Sequence, residues 1–228
     1  MKTPVRVALI GAKGRMGQTI VDLAKNDPKI DIVAQSDLGD SMDAALKDCD
    51  VAIDFSNASS IGEVCRAASK SQKALVIGTT GHSAEQRHLI ERTAKSLPIV
   101  FASNFSVGVN ALFALTKRAA EILGGEFKPQ IVETHHTKKK DAPSGTAKTL
   151  GEILKAELKI DIPIESIREG DVVGEHTVAF VGPAERLELT HSAGSREIFA
   201  SGALRAAQWV VGKSPGLYSM QDVLGISK

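Results

Sequence analysis

The amino-acid sequence predicts an α/β protein that combines a doubly wound parallel-sheet domain with a smaller α+β domain whose mixed sheet is open on one side. Three observations support this prediction. Short apolar runs alternate with helix-like segments between residues 4 and 102, which is typical of a parallel sheet with crossover helices. A glycine-rich turn follows the first of these runs. After Gly124 and Gly125 the pattern changes to strands with one apolar face, as in a half-buried sheet.

The first strand, at residues 4–10, leads directly into glycines at positions 11, 14 and 17 and then into a helical stretch that ends near Ala24. This G-x-x-G-x-x-G spacing differs by one position from the commoner G-x-G-x-x-G. It still suits a tight turn, a close approach of backbone to a pyrophosphate, and a helix N-terminus that faces it. A second apolar run ends just before Asp37, whose carboxylate can bind an adenosine ribose. The pair of features favours a Rossmann-like nucleotide site over a turn without ligand.

Three further strands are predicted at residues 50–55, 74–77 and 99–102, with helices at about 59–71 and 84–96 between them. The carboxyl ends of such strands line the ligand crevice of a doubly wound sheet, and here they carry small and hydroxyl residues that suit a nicotinamide and its ribose. The predicted nucleotide-binding residues are Gly11, Ala12, Lys13, Gly14, Arg15, Met16, Asp37, Gly78, Thr79, Thr80, Ala102, Ser103, Asn104 and Phe105.

The second part of the chain opens with a long helix, and strands are predicted later in it. The predicted elements are the helix at 107–123, strands at 130–135, 172–181 and 186–192, a helix at 203–211 and a tail at 217–226. In the last strand Leu187, Leu189 and His191 share one face, opposite Glu188 and Thr190. The open face of such a sheet is expected to pack on something, and a subunit interface is a plausible partner.

Residues 133–147, ETHHTKKKDAPSGTA, concentrate acids, cations and backbone donors and are predicted to form a catalytic loop. Strand alternation before the loop places Glu133 and His135 on one face, with Thr134 and His136 on the other. After the loop a helix is predicted at 147–158, with Ser144 or Thr146 as its N-cap. Free backbone N–H groups at that helix start can hold a carboxylate.

The pattern E-x-H-H-x-x-K-x-D-x-P-S-G-T in this stretch resembles the signature of the 4-hydroxy-tetrahydrodipicolinate reductase family, also called dihydrodipicolinate reductase. GTTG at 78–81 and NFSVGVN at 104–110 resemble the same family, and the resemblance covers nearly the whole chain. It implies NAD(P)H-dependent reduction of 4-hydroxy-2,3,4,5-tetrahydrodipicolinate, a small cyclic dicarboxylate, to tetrahydrodipicolinate on the diaminopimelate route to lysine. It also implies a dinucleotide-binding domain at 1–106 and 197–228, a substrate and oligomerisation domain at 107–196, and a homotetramer.

The resemblance also implies roles for individual residues by motif position. His135 is the expected general acid, and Lys139 is expected to donate a second proton or to hold the substrate. His136, Gly145 and Thr146 are expected to bind carboxylate oxygens. Lys138 and Lys140 are interpreted as solvated surface lysines. Two roles remain open for Glu133 and Asp141, which either orient the histidines and the loop or are ordinary surface carboxylates.

Several functional classes are disfavoured by composition. A net charge of +1 and an aromatic content of 4% indicate neither nucleic acid nor an anionic membrane as a partner. No apolar run approaches the length of a membrane span, so a soluble cytoplasmic protein is expected. Cys49 and Cys65 are expected to be reduced thiols. No metal is predicted, because the remaining histidines His82, His88, His176 and His191 show no ligand spacing.

The residues around Asp37 predict a preference for NADH over NADPH. Leu38, Gly39 and Asp40 follow it, so a second negative charge and no cation stand next to the expected ribose site. Lys13 and Arg15 in the glycine turn can offset this, and NADPH is therefore expected to be accepted too.

Two alternatives to a reductase of a cyclic dicarboxylate remain. One is a nucleotide-sensing module without catalysis, against which the histidines and lysine beside a helix start argue. The other is a reductase that acts on a linear keto or imino acid. Turnover of NADH distinguishes a reductase from a sensing module. Competition by pyridine-2,6-dicarboxylate distinguishes a site for cyclic dicarboxylates from one for linear substrates.

Overall fold

The computed structural model describes residues 3–226, which form ten strands and eight α-helices. The strands are β1 Val5–Ile10, β2 Ile30–Ser36, β3 Val51–Asp54, β4 Ala74–Ile77, β5 Pro98–Phe101, β6 Lys128–His135, β7 Ile164–Arg168, β8 Glu175–Val181, β9 Arg186–Ser192 and β10 Gly216–Tyr218. The helices are α1 Arg15–Ala24, α2 Met42–Ala45, α3 Ile61–Ser71, α4 Ala84–Thr93, α5 Val107–Leu123, α6 Gly145–Leu158, α7 Glu197–Val210 and α8 Met220–Leu224. They divide into two compact units, of which the second is Ser106–Arg196 and the first contains the rest.

The first unit is a six-stranded parallel sheet in the order β10-β5-β4-β3-β1-β2. Successive residues of β1 serve opposite faces of this sheet. Val7 and Leu9 join one buried cluster with residues of α1 and α7, whereas Ala8 and Ile10 join another with residues of α3 and α4. Helices on both faces explain why these strands are continuous apolar runs rather than alternating ones. The predicted doubly wound parallel sheet is confirmed.

Three elements of this unit differ from the prediction. The tail contains β10, which pairs in parallel with β5, and α2 is a short helix that was not predicted. The last long helix begins at Glu197, well before the predicted start at residue 203. Glycine has a low helix propensity, so Gly202 weakens the helix signal in the sequence before residue 203. A Cβ at Gly202 would lie 1.8 Å from the carbonyl oxygen of Phe105, so close packing accounts for the glycine.

The second unit is a four-stranded mixed sheet in the order β7-β6-β8-β9, in which β7 is parallel to β6 and the other pairs are antiparallel. On one face, Ile131, Val178 and Phe180 form a buried cluster with residues of α5 and α6. The register of β9 places Leu187, Leu189 and His191 opposite residues of that face, as predicted. The opposite face carries Val132 of β6 and Thr177 of β8, which are half-buried.

Two strand predictions in this unit were wrong. β7 was not predicted at all, and β8 begins at Glu175 rather than at Val172. Val172 is apolar and was read as part of the strand. Its backbone instead bonds to a turn and to the loop after β6, since its carbonyl accepts the N–H of His136 at 2.7 Å. Within residues 3–226, no helix has both the length and the hydropathy that crossing a membrane would require.

Candidate active site

A buried pair of side chains at the end of β6 forms the centre of the candidate site in the second unit. Glu133 and His135 share the helix-covered face, as strand alternation predicted, and both are buried. Nδ1–H of His135 donates to Oε2 of Glu133. The other carboxylate oxygen, Oε1, accepts from Arg168 Nη2 at 2.8 Å and from the Ser144 N–H at 3.2 Å. Glu133 is thus a buried orienting group rather than a surface carboxylate.

Glu133 carries a fixed negative charge. Burial alone would raise the pKa of its carboxyl, but the hydrogen bonds from Arg168 and His135 outweigh burial and lower the pKa to about 2. The carboxylate therefore stays ionised through the whole neutral range. It holds the His135 ring in one orientation and favours the tautomer with the proton on Nδ1, which leaves Nε2 on the side of the ring away from Glu133.

Burial and neighbouring charges act in opposite directions on the pKa of His135. Burial lowers the pKa of its imidazole, and Glu133 opposes this by favouring the charged ring. Lys139 and Arg168 lower the pKa further through their positive charges. Gly174 leaves space beside the other ring nitrogen, because a Cβ there would lie 3.0 Å from Nε2 of His135.

His176 is a site residue that the sequence did not reveal. It faces His135 edge-on with ring centroids 5.1 Å apart, and its Nε2 lies 3.0 Å from Ser144 Oγ. Burial, reinforced by the charge of His135, lowers the pKa of His176 to about 4, so this ring is neutral at neutral pH. Its alternation with Val178 and Phe180 on β8 was the available signal, because that parity places it on the core face beside β6.

The segment Arg168-Glu169-Gly170 resembles the family, but no role could be derived from the sequence for Arg168, because β7 was not predicted. It is the last residue of β7 and lies opposite His135 in the parallel pairing. Glu133, His135 and His176 place their ligand-type atoms within 4.8 Å of one another, a spacing that could hold a metal ion. The carboxylate of that cluster is already paired with the Arg168 guanidinium and the His135 ring. We therefore interpret the cluster as a hydrogen-bonded acid network.

The three lysines of the loop are not equivalent. Lys138 and Lys140 are exposed, whereas the side chain of Lys139 is only 22% exposed and pairs with Asp141 at 2.9 Å. Lys139 also lies close enough to His135 to lower the pKa of that imidazole. Asp141 is an exposed carboxylate whose pKa is lowered by its bond from Lys139. The structure thus distinguishes Lys139 from the lysines on either side of it.

The start of α6 lies beside this network. Ser144 is its N-cap, with Oγ accepting from the Ala147 N–H at 3.2 Å, so one of the two predicted capping residues is confirmed and Thr146 is in the first turn instead. Gly145 opens the helix and is exposed. The strand ends at His135, so His136 belongs to the loop, and its Nδ1 is buried without a hydrogen bond to any other described residue. First-turn N–H groups and this imidazole provide donors for an anionic group.

The glycine turn of the first unit is shaped by close backbone contacts. Gly11 has φ of +82°, and a Cβ there would lie 2.4 Å from the carbonyl oxygen of Phe55. A Cβ at Gly17 would lie 2.2 Å from the Gly11 oxygen. Asp37 closes the turn, because its Oδ2 accepts the Lys13 N–H at 2.6 Å. No side chain can therefore replace the glycines that bring this turn against the end of β3.

A cavity of about 350 Å³ lies beside the turn. Its lining includes Gly11, Gly14 and three acidic residues, Asp37, Asp40 and Glu63. Lys13 and Arg15 are exposed and do not line it. The cavity suits the adenosine end of a dinucleotide, and its acidic lining suits ribose hydroxyls better than a phosphate.

The other predicted nucleotide-binding residues follow β4 and β5. Ser56 N–H donates to both Thr79 Oγ1 and Asp54 Oδ1 at 3.0 Å, which ties the end of β3 to the turn after β4. Gly78 packs so closely on the Phe55 ring that a Cβ there would lie 2.2 Å from it. The remaining predicted residues after β4 and β5 differ in exposure: Thr80 and Ser103 are exposed, Ala102 and Asn104 are half-buried, and Phe105 is buried. Ala12 is buried in the glycine turn, and Met16 is half-buried on α1.

Comparisons with known proteins agree across both units. The family model described as dihydrodipicolinate reductase, N-terminus, matches residues 5–105, and the model described as dihydrodipicolinate reductase, C-terminus, matches residues 108–224. A 4-hydroxy-tetrahydrodipicolinate reductase of Akkermansia muciniphila is 47% identical over 98% of this chain and 99% of its own length. One of Geobacter metallireducens is 41% identical over 97% of this chain and 99% of its own length.

A solved structure gives the same picture of the fold. The dipicolinate-bound dihydrodipicolinate reductase from Paenisporosarcina sp. TG-14 superposes with a TM-score of 0.84 at 22% identity, covering 96% of this chain and 98% of that one. At this identity the likeness describes the fold, and the family-model and sequence matches carry the relationship.

Proposed function

The chain belongs to the dihydrodipicolinate reductase family, and from this premise we propose how its residues perform the family's reaction. The reaction is the NAD(P)H-dependent reduction of 4-hydroxy-2,3,4,5-tetrahydrodipicolinate to 2,3,4,5-tetrahydrodipicolinate, in the diaminopimelate route to lysine. The single observation that carries the assignment of roles is the buried Glu133–His135 pair beside the half-buried Lys139 and the start of α6. In this proposal the first unit binds the nucleotide and the second binds the substrate.

The nucleotide is held at the glycine turn and the strand ends. The glycine turn, residues 11–14, brings the start of α1 close to the pyrophosphate, where the backbone N–H groups of Arg15 and Met16 face it, and Asp37 binds the adenosine ribose. The turns after β4 and β5 supply the remaining contacts, to the nicotinamide and its ribose; their residues are Gly78, Thr79, Thr80, Ala102, Ser103, Asn104 and Phe105. When bound, the nucleotide supplies the hydride.

The protein's contribution to the chemical step is a proton. Loss of water from the hydroxylated substrate gives a conjugated imine, hydride adds to C4, and the electron pair passes into the conjugated system. Nε2 of protonated His135 then donates the proton that neutralises this charge. Glu133 keeps the ring oriented and stabilises its charged form, while the substrate carboxylates favour the same form by their own charge.

The substrate carboxylates bind at the other donors of the site. We assign them to the His136 ring, the Gly145 backbone N–H, the Thr146 hydroxyl and the Lys139 ammonium. The test is oxidation of NADH at 340 nm with substrate generated by the preceding synthase, followed by competition with pyridine-2,6-dicarboxylate. Nucleotide binding without turnover would favour a sensing module, and turnover without competition would favour a reductase of linear substrates.

The cofactor preference is proposed to be NADH, with NADPH accepted less well. Three carboxylates line the adenosine cavity and would repel a 2′-phosphate, and neither Lys13 nor Arg15 lines it. We expect kcat/KM to favour NADH by roughly 5- to 30-fold, which corresponds to one to two kcal/mol. Leu38 is 98% exposed beside Asp37, so L38R should place a cation near the 2′ position and shift the ratio towards NADPH. A clear NADPH preference in the unsubstituted protein would contradict the proposal.

The oligomer is proposed to be a homotetramer that is built through the sheet face of the second unit that lies opposite α5 and α6. Val132 on the central strand β6 faces away from α5 and α6, next to Thr177 of β8. Sedimentation velocity should give the mass of four chains. V132E should reduce that mass by placing a charge in the contact, and I122E, at an exposed position on α5, is the matched control. A monomeric native chain would contradict the proposal.

A further inference from the structure

We propose that Arg168 is a positioning residue for the reductase reaction: it holds residues 136–143, the part of the catalytic loop that follows β6, against the strand that carries His135. This inference deepens the proposed function and rests on its assignment of His135 and Lys139. Arg168 lies on β7, more than twenty positions after the motif at 133–146, and the resemblance of the segment Arg168-Glu169-Gly170 to the family gives it no role.

The guanidinium of Arg168 joins two segments that are distant from it in sequence. Its side chain is 19% exposed, and its Nη2 donates both to Glu133 Oε1 at 2.8 Å and to the carbonyl oxygen of Asp141 at 2.6 Å. Nη1 donates to the carbonyl of Ile167 at 2.7 Å, which fixes the plane of the group on its own strand. The far end of the catalytic loop is therefore tied to the buried carboxylate that orients His135.

The near end of the catalytic loop is held by backbone hydrogen bonds to the turn that follows β7. The Glu169 N–H donates to the His135 carbonyl at 2.8 Å, and the Thr137 N–H donates to the Gly170 carbonyl at 3.2 Å. Between the two ties, the Lys139 N–H closes a turn onto the His136 carbonyl at 3.0 Å. β7 and the turn after it thus hold both ends of the segment that presents Lys139.

An arginine suits this position better than a lysine. Its Nη2 bonds to the carboxylate and the loop carbonyl while its Nη1 bonds to Ile167, and the planar group fixes these donors relative to one another. A lysine is a single point charge on a flexible stem. Loss of the guanidinium would leave Glu133 buried with fewer donors and would release the Asp141 carbonyl. The expected consequence is a looser loop and a less well placed Lys139.

The charge of Arg168 gives the proposal a signature that a purely structural role lacks. The charged or titratable groups that face His135 are Glu133 on β6, Lys139 and Asp141 from the loop, Arg168 on β7 and His176 on β8. Removing the Arg168 cation should raise the pKa of His135, and removing the Glu133 charge should lower it. A general acid works when protonated, so the rate falls as pH rises through its pKa. R168M should therefore move this falling limb to higher pH, and E133Q should move it to lower pH.

The experiment compares R168M, R168K and E133Q with R118M, which removes an exposed arginine from α5. Amide hydrogen exchange over residues 136–144 reports the loop without any need for turnover. We expect faster exchange in R168M, partial protection in R168K, and a loss of kcat/KM for the dicarboxylate of about 10- to 100-fold in R168M. R118M should match the unsubstituted protein, and the affinity for NADH should be unchanged throughout.

Unchanged exchange in R168M would overturn the proposal, as would faster exchange with unchanged kcat/KM, or a falling limb that moves in the same direction in R168M and E133Q. If R168M does not fold, R168K keeps a charge opposite Glu133 and must still show a looser loop. Failure of the proposed function is recognised separately, because the unsubstituted protein would then show no turnover while the exchange measurements would still report on the loop.

Discussion

Replacing His135 with glutamine is expected to preserve the fold and nucleotide binding while lowering kcat by at least about 10²-fold. The glutamine amide can donate to Glu133 in place of Nδ1–H, so the buried carboxylate keeps a partner. An amide cannot transfer a proton at neutral pH, so the step that neutralises the charge after hydride transfer loses its acid. The measurement is steady-state turnover at saturating NADH and substrate, with NADH affinity determined separately.

A matched control is H88Q, because His88 is an exposed histidine on α4 that pairs with Glu91. That variant should turn over like the unsubstituted protein. Unchanged turnover in H135Q would remove His135 from the role of general acid. A loss of NADH affinity in H135Q would instead indicate a wider structural effect.

The first unit could be predicted well because its signals are local. Strands buried on both faces are apolar throughout, as Val7 to Ile10 show, and each is followed by a helix with its own pattern. The glycine turn could also be recognised from spacing. The reason for each glycine could not, since the contact of Gly78 with the Phe55 ring joins turns that follow different strands.

The candidate site at the end of β6 could be predicted in part. Alternation placed Glu133 and His135 together, yet the sequence left open whether Glu133 orients that histidine. The role of Glu133 depends on the burial of its carboxylate and on the bond from Arg168, which lies on another strand. The short strand β7 has alternating half-buried residues and follows Pro163, so it has no strong local signal. Its position is set by pairing with β6, which is a tertiary property.

The distinction among the three consecutive lysines is also a tertiary property. A lysine run has no internal pattern that selects one member, and only the family motif indicated Lys139. The structure adds an independent reason, because the turn closed by the Lys139 N–H onto the His136 carbonyl directs this side chain towards Asp141 and leaves those of Lys138 and Lys140 exposed. The ion pair with Asp141 restrains the ammonium group, and in the proposed function a substrate carboxylate takes the place of Asp141.

Lys139→Ala is therefore expected to raise KM for the dicarboxylate, and kcat/KM should fall by about 10- to 100-fold, the range for loss of one charge-assisted hydrogen bond. An additional fall in kcat would indicate a share in protonation, because only an interaction made in the transition state affects turnover at saturation. Lys140→Ala is the control, since it removes the same charge from an exposed position one residue away. If Lys140→Ala proved the more damaging change, the assignment of the substrate-binding lysine would be wrong by one position, and the half-buried position of Lys139 would have to be explained by its pairing with Asp141 alone.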